Sequence, residues 1–341
     1  MIALWIFLYL LVAAVVVFLA IQLSKYVDLL DKKTKMSGAI IGGVFLAAVT
    51  SIPELFTSIS ALFILPGDKS SAMVIGNVLG SDLFNSAVLG LTFILFYKHM
   101  KAAKVGKGHI STVITLIIMY GLIAYSTLAP KSWQLEIGGA VNVISILLLV
   151  VYAISIKFMA APEEEKEEEQ DSSPLTVKQI VVRFIICAVL LIGASIGITY
   201  ITDIIATELN LGKTFAGALF LGVATSLPEV SATISLCKLG NFNAAVGNII
   251  GSNTFNCIIL VLADICSWKN PVYVKDISSI LLISLGALSA MVVCAAICHK
   301  ALKTQKAEDK KGQTMATVLY TSCGAIMVLS YVAFLILSNV L

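Results

Sequence analysis

The chain has 341 residues, of which 59% are hydrophobic and only 13% are charged, whereas about a quarter of a typical soluble domain is charged. This composition excludes a soluble globular domain. The net charge of +3 says little by itself, and we expect no nucleic-acid partner. The seven cysteines form no CxxC pair and indicate no metal framework. The sequence therefore predicts an all-α integral membrane protein without an enzyme cofactor.

Ten segments are long and apolar enough to cross a bilayer, which takes about 20 residues of apolar helix. In chain order they are residues 3–24, 37–65, 72–97, 109–129, 134–156, 181–203, 212–237, 243–267, 276–298 and 316–339. The second, third, seventh and eighth segments differ from the others because polar residues interrupt them. These four segments are where we look for function.

Basic residues orient the ten segments, because cytoplasmic loops carry an excess of lysine and arginine. If the N-terminus lies outside, 18 of the 23 basic residues fall in loops on the inside. We therefore expect both termini outside and the longest loop inside. That loop contains "APEEEKEEEQDSSP" at 161–174, which predicts a flexible, cytoplasmic acidic linker over 161–176. A calcium-sensing role for this linker is the alternative interpretation.

Two polar motifs occur twice along the chain. The stretch "GGVFLAAVTSIPELFTSIS" at 42–60 matches "GALFLGVATSLPEVSATIS" at 217–235 in nine of 19 positions. Further on, "GNVLGSDLFN" at 76–85 matches "GNIIGSNTFN" at 247–256 in six of ten positions. The copies agree at polar positions, where a shared membrane composition alone would not make them agree.

The repeated motifs divide the chain into two halves of five segments each. The first half is 1–160, with its motifs within 42–85, and the second is 177–341, with its motifs within 217–256. Because five is odd, the second half must enter the membrane with the opposite topology. Inverted repeats with broken helices that meet near the midplane are typical of secondary transporters.

The first motif places a carboxylate and hydroxyl groups on one helix face. Steps of three and four residues bring Thr50 and Ser51 beside Glu54. Ala47 and Ser58 share this face. The second copy has Gly222, Thr225, Ser226, Glu229 and Thr233 in the same places.

Each carboxylate follows a proline, and no lysine, arginine or histidine lies in either 19-residue stretch. Pro53 and Pro228 lack an N–H, so we expect them to break their helices and to free backbone carbonyls one turn back. A carboxylate in the membrane needs compensation. Cations or protons from solution are the remaining source.

The second motif adds neutral oxygen ligands. Ser81 and Asn85 are four residues apart, as are Ser252 and Asn256. We expect the glycines of this motif to unwind its helix locally and to let helix backbones pass closely. Asp82, whose counterpart is an asparagine, lies off this face and is a further candidate for the site.

Taken together, the candidate ligands are all oxygen atoms, which argues against zinc, copper and iron. Calcium accepts six to eight oxygen ligands in flexible geometry, whereas magnesium demands a strict octahedron. Neutral hydroxyl and amide oxygens suit sodium. A lone hydroxyl bonded to its own helix, a proline kink or a paired glutamate would each be structural, but the duplication of the whole set disfavours those interpretations.

At these residues the chain resembles the sodium/calcium exchanger branch of the calcium/cation antiporter superfamily, over its whole length. The resemblance implies a calcium site made by Glu54, Glu229, Thr50 and Thr225. It implies sodium sites made by Ser51, Ser226, Ser81, Ser252, Asn85 and Asn256, with the carbonyls of Ala47 and Gly222. It also implies that the first and sixth helices slide across the others to alternate access.

The chain departs from the family pattern in two places. The family commonly has GTS before the proline, whereas this chain has "AVTS" and "VATS". Potassium-dependent members carry an aspartate where Asn256 stands, so potassium coupling is disfavoured here.

These features predict an antiporter, not an enzyme, that exchanges sodium for calcium by alternating access. Proton/calcium and potassium-dependent antiport are the alternatives. A cation channel is disfavoured because it needs an oligomeric ring of charge, and a phosphate-handling enzyme because it needs more basic residues. We expect a bacterial or archaeal plasma membrane, with one chain sufficient for transport and the oligomeric state open.

Overall fold

A computed structural model describes residues 2–34, 36, 40–64, 68–97, 108–137, 141–159, 173–209, 222–267, 271–303 and 310–340. The described chain is helical except for one short hairpin. The helices are α1 (Ile2–Lys33), α2 (Ala47–Thr50), α3 (Ile52–Ile64), α4 (Asp68–Leu95), α5 (Gly108–Leu128), α6 (Val143–Met159), α7 (Val177–Glu208), α8 (Leu227–Lys238), α9 (Phe242–Ser267), α10 (Ile277–Lys303) and α11 (Lys310–Val340).

Seven helices within the described residues are long and apolar enough to cross a membrane, and the bent pair of residues 41–50 and 52–63 makes an eighth. The prediction of an all-α membrane protein is therefore confirmed. The predicted seventh segment begins within residues 212–221, which lie outside the described residues, as does the acidic stretch 161–172 of the predicted linker.

The predicted segment 134–156 begins too early. Its first part forms a 3-10 turn (Lys131–Trp133) and an antiparallel hairpin of β1 (Glu136–Ile137) and β2 (Val141–Asn142). Helix α6 starts only at Val143 and has 17 residues, or about 26 Å at 1.5 Å per residue. Apolar residues surround Gln134, Glu136 and Asn142 in this stretch, so average hydropathy did not show where the helix begins.

Helices α4 and α9 form the centre of the bundle. In their most apolar stretches 72% and 78% of the residues are buried, against 11% in α1 and 22% in α7. Helices α1 and α7 pack against each other on the outside. Near one end of this pair, Lys33 Nζ of α1 donates to the carbonyls of Ser173 and Leu175, just before the capping box of Thr176 and Gln179 that starts α7.

Helix contacts follow the same pattern in the two halves. Helix α1 contacts α8, and α7 contacts α2 and α3. The contact of α4 with α11 corresponds to the contact of α9 with α6 in the other half. In the same way, the contact of α5 with α9 corresponds to the contact of α10 with α4. Exchanging the first half of the chain for the second therefore reproduces these contacts.

The glycines of the second motif do not unwind their helices, contrary to the prediction. Both α4 and α9 are continuous through this motif. Gly251 instead lets α9 touch the backbone of Gly43, because any Cβ at Gly251 would collide with that backbone. Small residues that allow close helix approach are common in membrane bundles, and here they act through packing without breaking the helix.

Candidate cation-binding site

The first broken helix changes direction at Ser51. A π-helical turn (Ile41–Leu46) runs into α2, and such turns occur mostly at functional sites. Ser51 then leaves helical geometry, with φ −90° and ψ 3°, and the axis bends by 42°. Pro53 explains the break, because its ring nitrogen cannot donate to the carbonyl of Val49.

The second half repeats this break closely. Residues 222–225 are helical, and Ser226 leaves helical geometry with φ −87° and ψ 6°. The flanking hydrogen bonds also match: Ser51 N donates to Ala47 O at 3.0 Å and Ser226 N to Gly222 O at 3.1 Å. The two TSxPE stretches therefore fold in the same way.

Glu54 and Glu229 lie just after these breaks and are fully buried. Glu54 Oε1 accepts hydrogen bonds from Ser81 Oγ and Ser226 Oγ, both at 3.2 Å. Glu229 Oε1 accepts one from Ser51 Oγ at 3.1 Å. In each glutamate the second oxygen, Oε2, is buried without any hydrogen-bond donor.

Contacts across the halves bring the predicted ligands together. Ser51 belongs to the first half but contacts Glu229, and Ser226 belongs to the second but contacts Glu54. Two further contacts connect the halves: Ser81 Oγ to Ser226 Oγ at 2.9 Å, and Thr50 Oγ1 to Ser252 Oγ at 3.4 Å. The hydroxyls thus form one cluster with both carboxylates.

The predicted threonine and carbonyl ligands lie next to each other at the breaks. Thr50 Oγ1 donates to Ala47 O at 3.2 Å, and Thr225 Oγ1 donates to Gly222 O at 3.1 Å. Each hydroxyl keeps oxygen lone pairs after this donation. Each carbonyl also accepts a backbone N–H, from Ser51 or Ser226, so both of its lone pairs are engaged. These hydrogen bonds therefore leave acceptor capacity on the two threonines, whereas a cation at either carbonyl would replace one of the donors.

The two predicted asparagines are also buried and incompletely bonded. Asn85 Nδ2 donates to Asn253 Oδ1 at 3.2 Å, and Asn256 Nδ2 donates to Asp82 Oδ1 at 2.9 Å. Their carbonyl oxygens, both named Oδ1, have no donor among the described residues. With Oε2 of the two glutamates and Oδ1 of Asn248, five oxygen atoms that can only accept are left without a donor among the described residues in this part of the bundle. Leaving buried acceptors unpaired is costly, and a cation would satisfy them.

Asp82 lies closer to the site than its helical position suggested. It is fully buried, and besides Asn256 it accepts a hydrogen bond from Tyr120 Oη at 3.1 Å. Sequence reasoning missed Tyr120, because nothing in its local sequence distinguishes a tyrosine that faces the bundle centre from one that faces lipid.

Sequence reasoning also missed two asparagines that brace the broken helices. Asn77 Nδ2 donates to Glu54 O at 3.1 Å and to Ser58 Oγ at 2.9 Å. Asn248 Nδ2 donates to Glu229 O at 3.5 Å and to Thr233 Oγ1 at 3.0 Å. The sequence did contain a sign of this role, because Asn77 in "GNVLG" and Asn248 in "GNIIG" occupy the same position in the two copies of the second motif.

The charge of the site is uniformly negative. Within the described residues neither Glu54 nor Glu229 has a lysine, arginine or histidine partner, and no group of three His, Cys, Asp or Glu side chains is arranged around a metal. The site therefore consists of two carboxylates and neutral oxygens. Such a set suits a hard, oxygen-seeking cation.

The fold and the buried carboxylate pair define a multi-pass helical membrane protein of the cation transporter class. The chain belongs to the sodium/calcium exchanger protein family, whose profile matches residues 3–160 and 179–340. This is a family of antiporters and not of enzymes. The resemblance drawn from the two motifs is therefore confirmed.

Several relatives match about two thirds or more of the chain. The putative antiporter CaxA of Alkalimonas amylolytica is 27% identical over 67% of this chain and 70% of its own length. The inner membrane protein YrbG of Escherichia coli is 24% identical over 72% of this chain and 76% of its own length. The sodium/calcium exchanger MaX1 of Methanosarcina acetivorans is 22% identical over 70% of this chain and 75% of its own length.

A solved structure shares the fold. The sodium-calcium exchanger NCX_Mj, from a crystal soaked in sodium without calcium, aligns with a TM-score of 0.71 and 18% identity. The alignment covers 98% of each chain, so the likeness extends over the whole bundle.

Proposed function

We propose that this protein exchanges sodium for calcium across the membrane by alternating access. One observation carries the proposal: two fully buried glutamates, one after each helix break, each keep a carboxylate oxygen without a donor. Two carboxylates balance the charge of one divalent cation. The family, and relatives named as an antiporter and as a sodium/calcium exchanger, support this function.

The calcium site in this proposal consists of the two glutamates and the two threonines beside them. Glu54 and Glu229 supply up to four carboxylate oxygens, and Thr50 and Thr225 add hydroxyls. The sodium sites use the neutral oxygens around them, namely Ser51, Ser226, Ser81, Ser252, Asn85, Asn256 and the carbonyls of Ala47 and Gly222. Because calcium and sodium share the oxygens around Glu54 and Glu229, occupancy by one ion disfavours the other.

The architecture in this proposal is ten helices in two inverted five-helix repeats, 1–160 and 177–341, joined by the acidic linker 161–176. The repeated helix contacts and the matched breaks support it. Both termini lie outside and the linker is cytoplasmic, in the plasma membrane of a bacterium or an archaeon. One chain supplies both glutamates, so a monomer is sufficient for transport.

Alternating access in this proposal comes from α1 and α7. These two helices pack along each other and bury few residues against the rest of the bundle. Moving such a pair breaks fewer buried contacts than moving α4 or α9. We therefore assign the sliding motion to α1 and α7 and the fixed ion site to the two broken helices together with α4 and α9.

Calcium uptake into proteoliposomes tests the coupling ion. Vesicles loaded with sodium and diluted into sodium-free buffer should take up radioactive calcium against its gradient, whereas vesicles loaded with potassium should not. Uptake that ignores sodium but follows a pH gradient would replace the proposal with proton/calcium antiport. Uptake that requires potassium together with sodium would indicate the potassium-dependent alternative, and uptake that stops at equilibrium would indicate a channel.

A further inference from the structure

The amide of Asn85 is oriented by a chain of hydrogen bonds that starts at a backbone carbonyl. Asp82 O can only accept, and it accepts from Asn253 Nδ2 at 3.0 Å and from Ser86 Oγ at 2.9 Å. Asn253 Nδ2 also donates to Ser86 Oγ at 3.2 Å. Because Asn253 Nδ2 is engaged by Asp82 O and Ser86 Oγ, Asn253 must present its Oδ1 to Asn85 Nδ2. Asn85 therefore turns its own Oδ1 away from Asn253, where it has no donor.

The amide of Asn256 is oriented in the same way by a side chain. Asp82 Oδ1 accepts from Asn256 Nδ2, and Asp82 Oδ2 accepts from Tyr120 Oη. Tyr120 fits there because Gly286 has no side chain; a Cβ on Gly286 would lie 2.5 Å from Tyr120 Oη. A carboxylate cannot donate, so Asn256 must again direct Oδ1 elsewhere, where it too has no donor.

These contacts form a reciprocal arrangement between the halves. The residue directly after the serine of each GS pair, Asp82 or Asn253, accepts from the last asparagine of the opposite half. Both oxygens of Asp82 already have donors, whereas the oxygen left without one belongs to Asn256. The carboxylate is thus placed to orient a ligand and not to bind the ion itself.

We infer that Asp82 and Asn253 are positioning residues that fix the amide orientation of Asn256 and Asn85, so that each asparagine offers a carbonyl oxygen to sodium. The inference rests on the proposed function. It deepens that function by assigning Asp82 a task distinct from ligation. A flipped amide would present N–H groups to a cation, which would repel it.

The test compares two activities in proteoliposomes: the sodium concentration that half-saturates calcium exchange, and calcium self-exchange in the absence of sodium. Asp82→Ala should raise the half-saturating sodium concentration about tenfold, the effect of roughly 1.4 kcal/mol, and should affect self-exchange much less. Asp82→Asn should stay within about threefold of wild type, since its oxygen still accepts from Asn256. Tyr120→Phe is the matched control, because it removes a hydrogen bond to Asp82 but leaves the bond to Asn256.

A swap of the pair keeps the test independent of whether Asp82→Ala folds. Asn256→Asp alone places two carboxylates against each other and should weaken sodium dependence strongly. Adding Asp82→Asn restores a donor–acceptor pair and should recover most of the lost sodium dependence.

Among variants that lose sodium dependence, two results would overturn the inference. One is an equal loss in Asp82→Ala and Asp82→Asn, which would mean that the charge matters and the acceptor does not. The other is a double variant no better than Asn256→Asp. If wild-type protein itself shows no sodium-dependent calcium movement, the proposed function fails as well, whereas active wild type with unaffected variants overturns the positioning roles alone.

Discussion

At the scale of single residues, the site is defined by acceptors that lack donors. Glu54 and Glu229 each accept hydrogen bonds from serines through one carboxylate oxygen, and the other oxygen has no donor. The amide oxygens of Asn85 and Asn256 also have no hydrogen-bond donor. A carboxylate in the membrane interior costs about 2.5–3.5 kcal/mol on insertion scales. In the proposed function a bound cation compensates these atoms, which otherwise lower the stability of the bundle.

The two asparagines that brace the broken helices, Asn77 and Asn248, are expected to stabilise the folded protein. Asn77→Ala would leave Glu54 O and the buried hydroxyl of Ser58 without this donor. The loss of a buried partner costs about 1–3 kcal/mol, so we expect a lower unfolding temperature in scanning fluorimetry of the detergent-solubilised protein. Thr321→Ala is the control, because its hydroxyl bonds only to carbonyls of its own helix. Equal melting of the two variants would contradict the bracing role.

At the scale of elements, one close helix contact depends on a glycine of the second motif. Gly80 and Gly251 occupy equivalent positions in the two copies of the second motif. A Cβ on Gly251 would collide with the backbone of Gly43, whereas one on Gly80 would meet no atom of the described residues within 4 Å.

This difference gives a paired prediction. Gly251→Ala should lower the yield of monodisperse protein and abolish transport, because backbone cannot move aside as a flexible side chain can. Gly80→Ala should retain both, since a methyl group there would meet none of the described residues within 4 Å. Size-exclusion profiles and calcium uptake of the two variants measure this. Similar behaviour of both variants would show that α9 does not approach Gly43 as closely as described.

The elements also show what sequence could and could not predict. The helix breaks were predictable, because Pro53 and Pro228 remove a donor at a known position. The contact of Ser51 with Glu229 was not, because it depends on how the two halves meet in space. Likewise the continuous helix at Gly251 was missed, since glycine favours both unwinding and close packing and only the partner helix decides between them.

At the scale of the whole molecule, the repeated contacts imply that the two halves are built alike. The halves of such a bundle are inverted relative to each other only if each has an odd number of spans, and an equal number of spans in each half places both termini on one side of the membrane. The bias of lysine and arginine then selects which side that is.

Reporter fusions test this topology. Alkaline phosphatase fused after Leu341 should be active and green fluorescent protein fused there should be dark, because only the phosphatase folds outside the cytoplasm. The same reporters inserted within the acidic linker, 161–176, should give the opposite result. A fluorescent fusion at the C-terminus would contradict this orientation, and the same result at both positions would contradict an odd number of spans between them.

The central claim is that one glutamate from each half completes a single ion site. The most direct measurement is sodium-driven calcium uptake by Glu54→Gln, Glu229→Gln and Glu136→Gln in proteoliposomes, the last being a control on the exposed hairpin. Either buried substitution removes half of the site's carboxylate charge, so we predict that each alone abolishes uptake while Glu136→Gln behaves as wild type. Substantial uptake by either buried variant would contradict a shared site.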